Sequence, residues 1–311
     1  MNLKVSGWDA QHLLEEVMLE DSLASVAYKA TVRLVVTPEL PKLDAGQYAA
    51  VEHEGQTLLD GIIWTATRSE QGQPRVEVVV FDRMIYLDRS EDEYLWPSGQ
   101  TATSRIRQYV QPWGITLGPL ADTRVKLGKA VYRAQTIFSM IQSDLRETAR
   151  QGGGLYRVRM RGQQMELVEL GSGPVLALEN VMETEMSRSL EGAVTQVKVL
   201  GAAIEDVRSP VLAIVTGQTK ELGTLQKVLQ DSQIDTVGAA REAGKALLAG
   251  IDGTVRVTTI DVPTVRAGDR VTYSGASYIV CNVTHRYQPG TPGEMTLELG
   301  SEEYVRRRYY A

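Results

Sequence analysis

A mainly β fold with α/β insertions, an α+β protein, is what this sequence of 311 residues predicts. Three observations carry it. β-branched runs separated by turn residues fill residues 1–95, helical spacing takes over near the middle, and short alternating strands close the chain. The length allows two or more packed domains, because single cores stop growing near ~250–300 residues.

The first runs are Ala30–Val36, Gln47–His53, Leu58–Thr67 and Arg75–Phe81, punctuated by Pro38–Pro41, Glu54–Gly55 and Glu70–Gly72. Glu54–Gly55 reads as a tight hairpin turn. Strands at this spacing predict a small barrel or sandwich over 1–95. The texture changes at Glu91–Tyr94. Ile106, Tyr109 and Val110 recur on one helical face that Pro112 ends, and Ile137, Met140, Ile141 and Leu145 form a second face stopped by Gly152–Gly154. Leu155–Met160 and Met165–Leu170 then make a hairpin around Arg161–Gly162, completing an α/β insertion over 96–175. After Gly171–Pro174 the strands Thr195–Leu200 and Val211–Val215 follow. Leu225–Leu229 fits a strand or a helix, and Thr236–Leu248 fits a helix capped by Asp235 or Thr236. Thr254–Ile260 leads into a meander of Arg270–Tyr273, Ser277–Val283 and Glu294–Leu299.

No window approaches ~18 consecutive apolar residues, so no membrane span is expected. Residues 1–20 mix His12, Glu15, Glu16 and Glu20 among apolar positions and show no signal-peptide pattern. The lone Cys281 fits folding in a reducing cytoplasm. The net charge of −6 hides a basic island: residues 101–170 hold 11 Lys+Arg against 5 Asp+Glu, between acidic flanks. The island lacks a Gly-rich phosphate loop and carries few aromatics, which argues against nucleic acid as a specific ligand.

The search for chemistry finds no active site. Cys281 and His285 stand four apart in a strand, roughly ~13 Å along it, which suits a packed Cys and a rim His better than a nucleophile pair. His12, His53 and His285 have no metal-ligand spacing, and one Cys excludes a thiolate zinc cage. The carboxylates Glu91–Glu93, Glu183, Glu185, Glu205, Asp206, Glu302 and Glu303 read as solvated or capping groups. Gly152–Gly154 precedes a strand, the wrong order for a phosphate cradle. No cofactor, metal or enzymatic activity is expected. The terminal Arg306, Arg307 and Arg308 with Tyr309 and Tyr310 read as an interface segment.

Several strings together resemble the tail-hub proteins of contractile phage tails, in particular the XkdQ/YqbQ-like hubs of phage-derived particles. They are Leu222–Gln230, which is similar to a "YGLLQKV" segment with Leu222 in place of Tyr, the helix Ala239–Leu248, and the closing meander with Val283–His285 as a turn and Met295–Leu299 as a strand. The resemblance implies two small β-barrel hub domains, the first over 1–95 and the second from 176–215 joined to 251–311, with 216–250 as a βα segment. It implies a homotrimer that adapts a hexameric tail tube to a trimeric central spike, beside neighbouring baseplate proteins in a virion or phage-like particle assembled in the host cytoplasm. A spike or lysozyme-like extension is then expected on another polypeptide. Two other readings make the chain a carbohydrate- or wall-binding module, which needs exposed aromatics from Trp8, Trp64, Trp96 and Trp113, or a cryptic peptidoglycan hydrolase.

The island yields one expectation from spacing alone. Arg146 and Arg150 share a helix face, and Arg157 and Arg159 share a strand face opposite Tyr156, Val158 and Met160. Both pairs are expected on a basic surface that water covers or that meets an acidic neighbour.

Overall fold

A computed structural model describes residues 1–202, 208–230 and 234–311. Strands dominate, as expected, and the chain divides into two compact units, Met1–Glu185 with Val255–Tyr310, and Met186–Thr254 with Ala311.

The first unit begins with β1 (Asn2–Val5), β2 (Trp8–Asp9), β3 (Leu14–Ser22), β4 (Lys29–Val35), β5 (Tyr48–His53), β6 (Gln56–Ser69) and β7 (Arg75–Asp82), followed by the short helix α1 (Met84–Arg89). Alternation sets their faces: Ala30, Val32 and Leu34 of β4 and Val76, Val78 and Val80 of β7 point into one core with Leu3, Val17, Leu19 and Val51. The β5–β6 turn places Glu54 (φ 48°) and Gly55 (φ 81°) both in the left-handed region, matching the twist of the flanking strands.

The insertion contributes β8 (Glu91–Trp96), α2 (Ala102–Val110), β9 (Thr116–Leu120), β10 (Ala130–Thr136), α3 (Ile137–Arg150), β11 (Tyr156–Arg161) and β12 (Gln164–Glu169). The predicted stripe of α3 is buried, Thr136 caps its start by accepting from the Ser139 amide at 3.2 Å, and Gly152 (φ 84°) ends it. α2 and α3 pack on Val158, Met160, Met165 and Leu167 of the β11–β12 hairpin. Inside, Arg105 donates to Asp144 Oδ1 at 2.7 Å, and the hydroxyls of Tyr109 and Tyr132 donate to the same carboxylate at 3.0 and 2.7 Å. Arg105 is therefore a core residue of the insertion, not part of its basic surface.

Past the insertion lie β13 (Leu176–Ala177) and β14 (Glu183–Ser189). The second unit holds β15 (Gln196–Leu200), β16 (Val211–Thr216), α4 (Thr219–Leu222), β17 (Gln226–Gln230) and α5 (Val237–Leu247). The segment that fitted a strand or a helix is the strand β17, parallel to the central β15. Thr236, not Asp235, caps α5, which lays Ala240 and Gly244 over Val197, Val199 and Val215.

The chain returns to the first unit through β18 (Asp252–Ile260), β19 (Arg270–Tyr273), β20 (Ala276–Tyr287), β21 (Glu294–Gly300) and the helix α6 (Glu302–Tyr310). β20 pairs with β21 on one side and, from Asn282↔Ser22 to Tyr287↔Val17, with β3 on the other. One sheet thus runs β14-β18-β21-β20-β3-β4-β7-β6-β5-β1-β2, and no closed barrel is formed among the described residues. The sequence places Val283–His285 in a turn and His285 at a rim, but β20 continues through them and His285 is fully buried. Its Nε2–H donates to the Val265 carbonyl at 2.9 Å and its Nδ1 lies 2.6 Å from Asp261, so burial is offset by two polar contacts.

Candidate functional site

Arginines are the residues that sequence reasoning singled out, and the structure sorts them into a buried set and a surface set. Arg157 belongs to the first, which corrects the expectation that it faces water. Both faces of β11 are covered, and the guanidinium exchanges solvent for a forked contact with Asp21 of β3, Nη2 to Oδ1 at 3.0 Å and Nη1 to Oδ2 at 3.3 Å. Arg266 donates from Nε to the same Oδ2 at 2.6 Å, with its guanidinium 3.6 Å over the Tyr28 ring. The Ala267 amide also donates to Asp21, at 3.2 Å, while Arg157 donates to the Ala267 carbonyl at 2.6 Å. Burial alone would raise the Asp21 carboxyl, but Arg157 and Arg266 outweigh it and hold the group well below the usual carboxylate range. Close by, burial pushes Asp82 up to about 7 against the opposing charge of Arg266 and the amides of Tyr28 and Met84. Arg159 is half-buried, donating to Asp269 at 3.1 Å with Glu166 at 3.8 Å.

This junction ties β3, the insertion and the loop before β19 together. Sequence reasoning missed Asp21 and Arg266. The available signal was an Asp at an inward position of an otherwise apolar alternation, Val17, Leu19, Asp21.

The surface set joins two segments that the sequence keeps far apart. Arg306 of α6 donates to the carbonyls of Ala149 and Gly153 at the end of α3, at 3.0 and 3.3 Å, where a cation suits the helix C-terminus. Arg146 donates to the Tyr309 carbonyl at 3.1 Å, and the Tyr310 hydroxyl to the Tyr156 carbonyl at 2.7 Å. The terminal segment is therefore a docked helix rather than a tail. Arg146 and Arg150 of α3 and Arg308 of α6 remain exposed, with Arg306 half-buried and Arg307 3.6 Å from Glu303.

The remaining candidates sit apart. A bulge in β20 turns Cys281 toward α6, away from His285, and burial pushes its thiol up to about 12, which makes it inert as a nucleophile. Glu91–Glu93, Glu302 and Glu303 are exposed, the last two in the first turn of α6. Glu183, Glu185 and Glu294 line a groove with Arg256. Glu205 and Asp206 lie outside the described residues. Trp96 is buried and Trp8 and Trp113 are half-buried, while Trp64 is exposed and edge-on to Phe81.

The model of the YQBQ-like family matches residues 17–300. The chain belongs to the YQBQ-like family. Its fold is shared by solved tail proteins. A 43 kDa tail protein of prophage MuSo2 from Shewanella oneidensis aligns with TM-score 0.74 at 12% identity, over 97% of this chain and 98% of that one. A tail protein from Neisseria meningitidis MC58 aligns with TM-score 0.74 at 15% identity, over 100% and 98%. An E. coli type VI secretion component, described as structurally similar to the T4 tail proteins gp27 and gp5, aligns with TM-score 0.61 at 13% identity, over 97% and 78%. No curated protein matches the chain. For this YQBQ-like chain the likeness of fold extends along almost its whole length.

Proposed function

We propose that this YQBQ-like chain is the structural hub of a contractile tail baseplate, in a phage or phage-like particle. Three copies form a ring that adapts the sixfold tail tube to the threefold spike and is held by neighbouring baseplate proteins. Family membership over residues 17–300 carries the reading. A fold shared end to end with tail proteins supports it. In this reading the strands of 1–95 and those of 255–311 act as two hub domains, six per trimer; 96–175 decorates them, and so does the separate unit 186–254, which takes up the strands that the sequence assigns to a second barrel at 176–215. Located by electron microscopy in a purified particle, the chain is expected at the base of the tube with threefold symmetry. A copy number that is not three per baseplate would refute the adaptor. Saturable peptidoglycan binding without tail incorporation would favour the wall-binding reading, and turnover of cell-wall substrate lost on replacing Glu183 or Glu185 would favour the hydrolase.

The basic surface of α3 and α6 is the part of this proposal that charge chemistry makes testable. Arg150 and Arg308 are exposed and take no part in docking α6, so Arg150→Glu with Arg308→Glu should leave the fold intact and remove the positive charge of the surface. Baseplate assembly should weaken, most at low salt, where screening is weakest. Unchanged assembly at every salt concentration would show that the face is merely solvated.

A further inference from the structure

Three arginines from two different elements line one small polar pocket of the first unit. Arg159 and Arg161 come from β11, Arg266 from the loop before β19, and the rim is completed by Gln56 and Thr57 of β6 and by Thr264. No carboxylate lines the pocket. The acids that neutralise these arginines, Asp21, Glu166 and Asp269, stand outside the lining. Their contacts use few of the five N–H groups of each guanidinium: Nε of Arg266 to Asp21, Nη1 of Arg159 to Asp269, and Nη1 of Arg161 no nearer than 3.5 Å to Glu166. The side chains of Gln56, Thr57 and Thr264 make no hydrogen bond within the described residues. The pocket of about 120 Å³ far exceeds the ~10–15 Å³ that a single water occupies.

We propose that this pocket binds an oxyanion. The lining offers guanidinium donors and no carboxylate, and two of the three arginines are fixed in advance. Arg266 is pinned by Asp21 and the Tyr28 ring, and Arg159 by Asp269, so little side-chain freedom is lost on binding. Guanidinium forks suit the paired oxygens of phosphate, sulfate and carboxylate alike. The anion can therefore be a free inorganic ion or the carboxylate of a protein side chain.

The test is titration of the intact protein with sodium phosphate, sodium sulfate and sodium acetate at constant ionic strength, with chloride as the balance. The arginine Nε–H resonances of Arg159, Arg161 and Arg266 are followed. Saturable shifts of these signals with phosphate or sulfate, not with chloride, are expected if the source is an inorganic ion, and with acetate if it is a carboxylate. Arg161→Gln and Thr264→Val, both at exposed positions, should each weaken binding by about tenfold, the effect of losing roughly one charge-assisted hydrogen bond. No saturable shift with any of the three anions, or equal affinity in both variants and the parent, overturns the proposal.

Discussion

Asp21→Asn is expected to lower the stability of the first unit by about 3–5 kcal/mol, the usual cost of leaving buried charge without its partner. The replacement keeps the shape of the side chain but removes the carboxylate that, among the described residues, Arg157 and Arg266 both contact within 3.3 Å. Two nearly buried cations then face each other. Arg157→Ala should cost less, because Arg266 still compensates Asp21. Arg157→Glu with Arg159→Glu, by the same reasoning, should disrupt folding rather than probe a surface. Urea unfolding at neutral pH gives the measurement, and a loss below about 1 kcal/mol for Asp21→Asn would mean that water reaches the junction. The pH dependence follows from the depressed carboxyl. Its stabilising contribution is complete above the unfolded value near ~3.9 and disappears as pH falls toward the folded value, so this part of the acid unfolding should be missing from the Asn variant.

Asp82 acts with the opposite sign. Its folded carboxyl, pushed up to about 7 by burial, binds a proton more tightly than the unfolded chain does. The native state therefore holds the extra proton between about pH 4 and 7, and stability falls as pH rises through that window. A shift of this size corresponds to roughly 4 kcal/mol at pH 8. Asp82→Asn cannot ionise, so stability measured from pH 5 to 8 should decline in the parent and stay flatter in the variant. The comparison of slopes is insensitive to any constant penalty from placing an amide where the Tyr28 and Met84 N–H groups donate. Parallel pH profiles would show that Asp82 is already ionised at pH 5.

Much of this architecture was legible in the residues, because regular alternation reports which face is buried. β4, β7 and the helix α3 are strictly periodic, and each was predicted within a residue or two. β3 was not, for a physical reason. A register shift between Leu14 and Glu16 puts two glutamates in succession and breaks the alternation, and Asp21 then occupies an inward position where an apolar residue is expected. α6 reads in the sequence as an interface segment and not as a helix, because Arg306, Arg307 and Arg308 mask the two buried positions, Val305 and Tyr310, that dock it. Arg157 is expected on a surface, facing water or an acidic neighbour, because periodicity shows that a residue alternates, not whether a second layer covers the other face. The arginine pocket was invisible for a simpler reason: its parts lie about 100 residues apart.

The pairing of β3 with β20 also fixes an order of events during synthesis. Residues 17–22 cannot acquire their second neighbour until residue 287 exists, so this strand spends most of translation as an unprotected edge. An edge of that kind invites the wrong partner, and an inward-pointing charge is one of the ways natural sheets discourage it. Asp21 meets that need while the chain is incomplete. Its neutralising partners arrive only when Arg157 and then Arg266 have been made, so the carboxylate that guards the growing edge becomes, on completion, the point that fastens it.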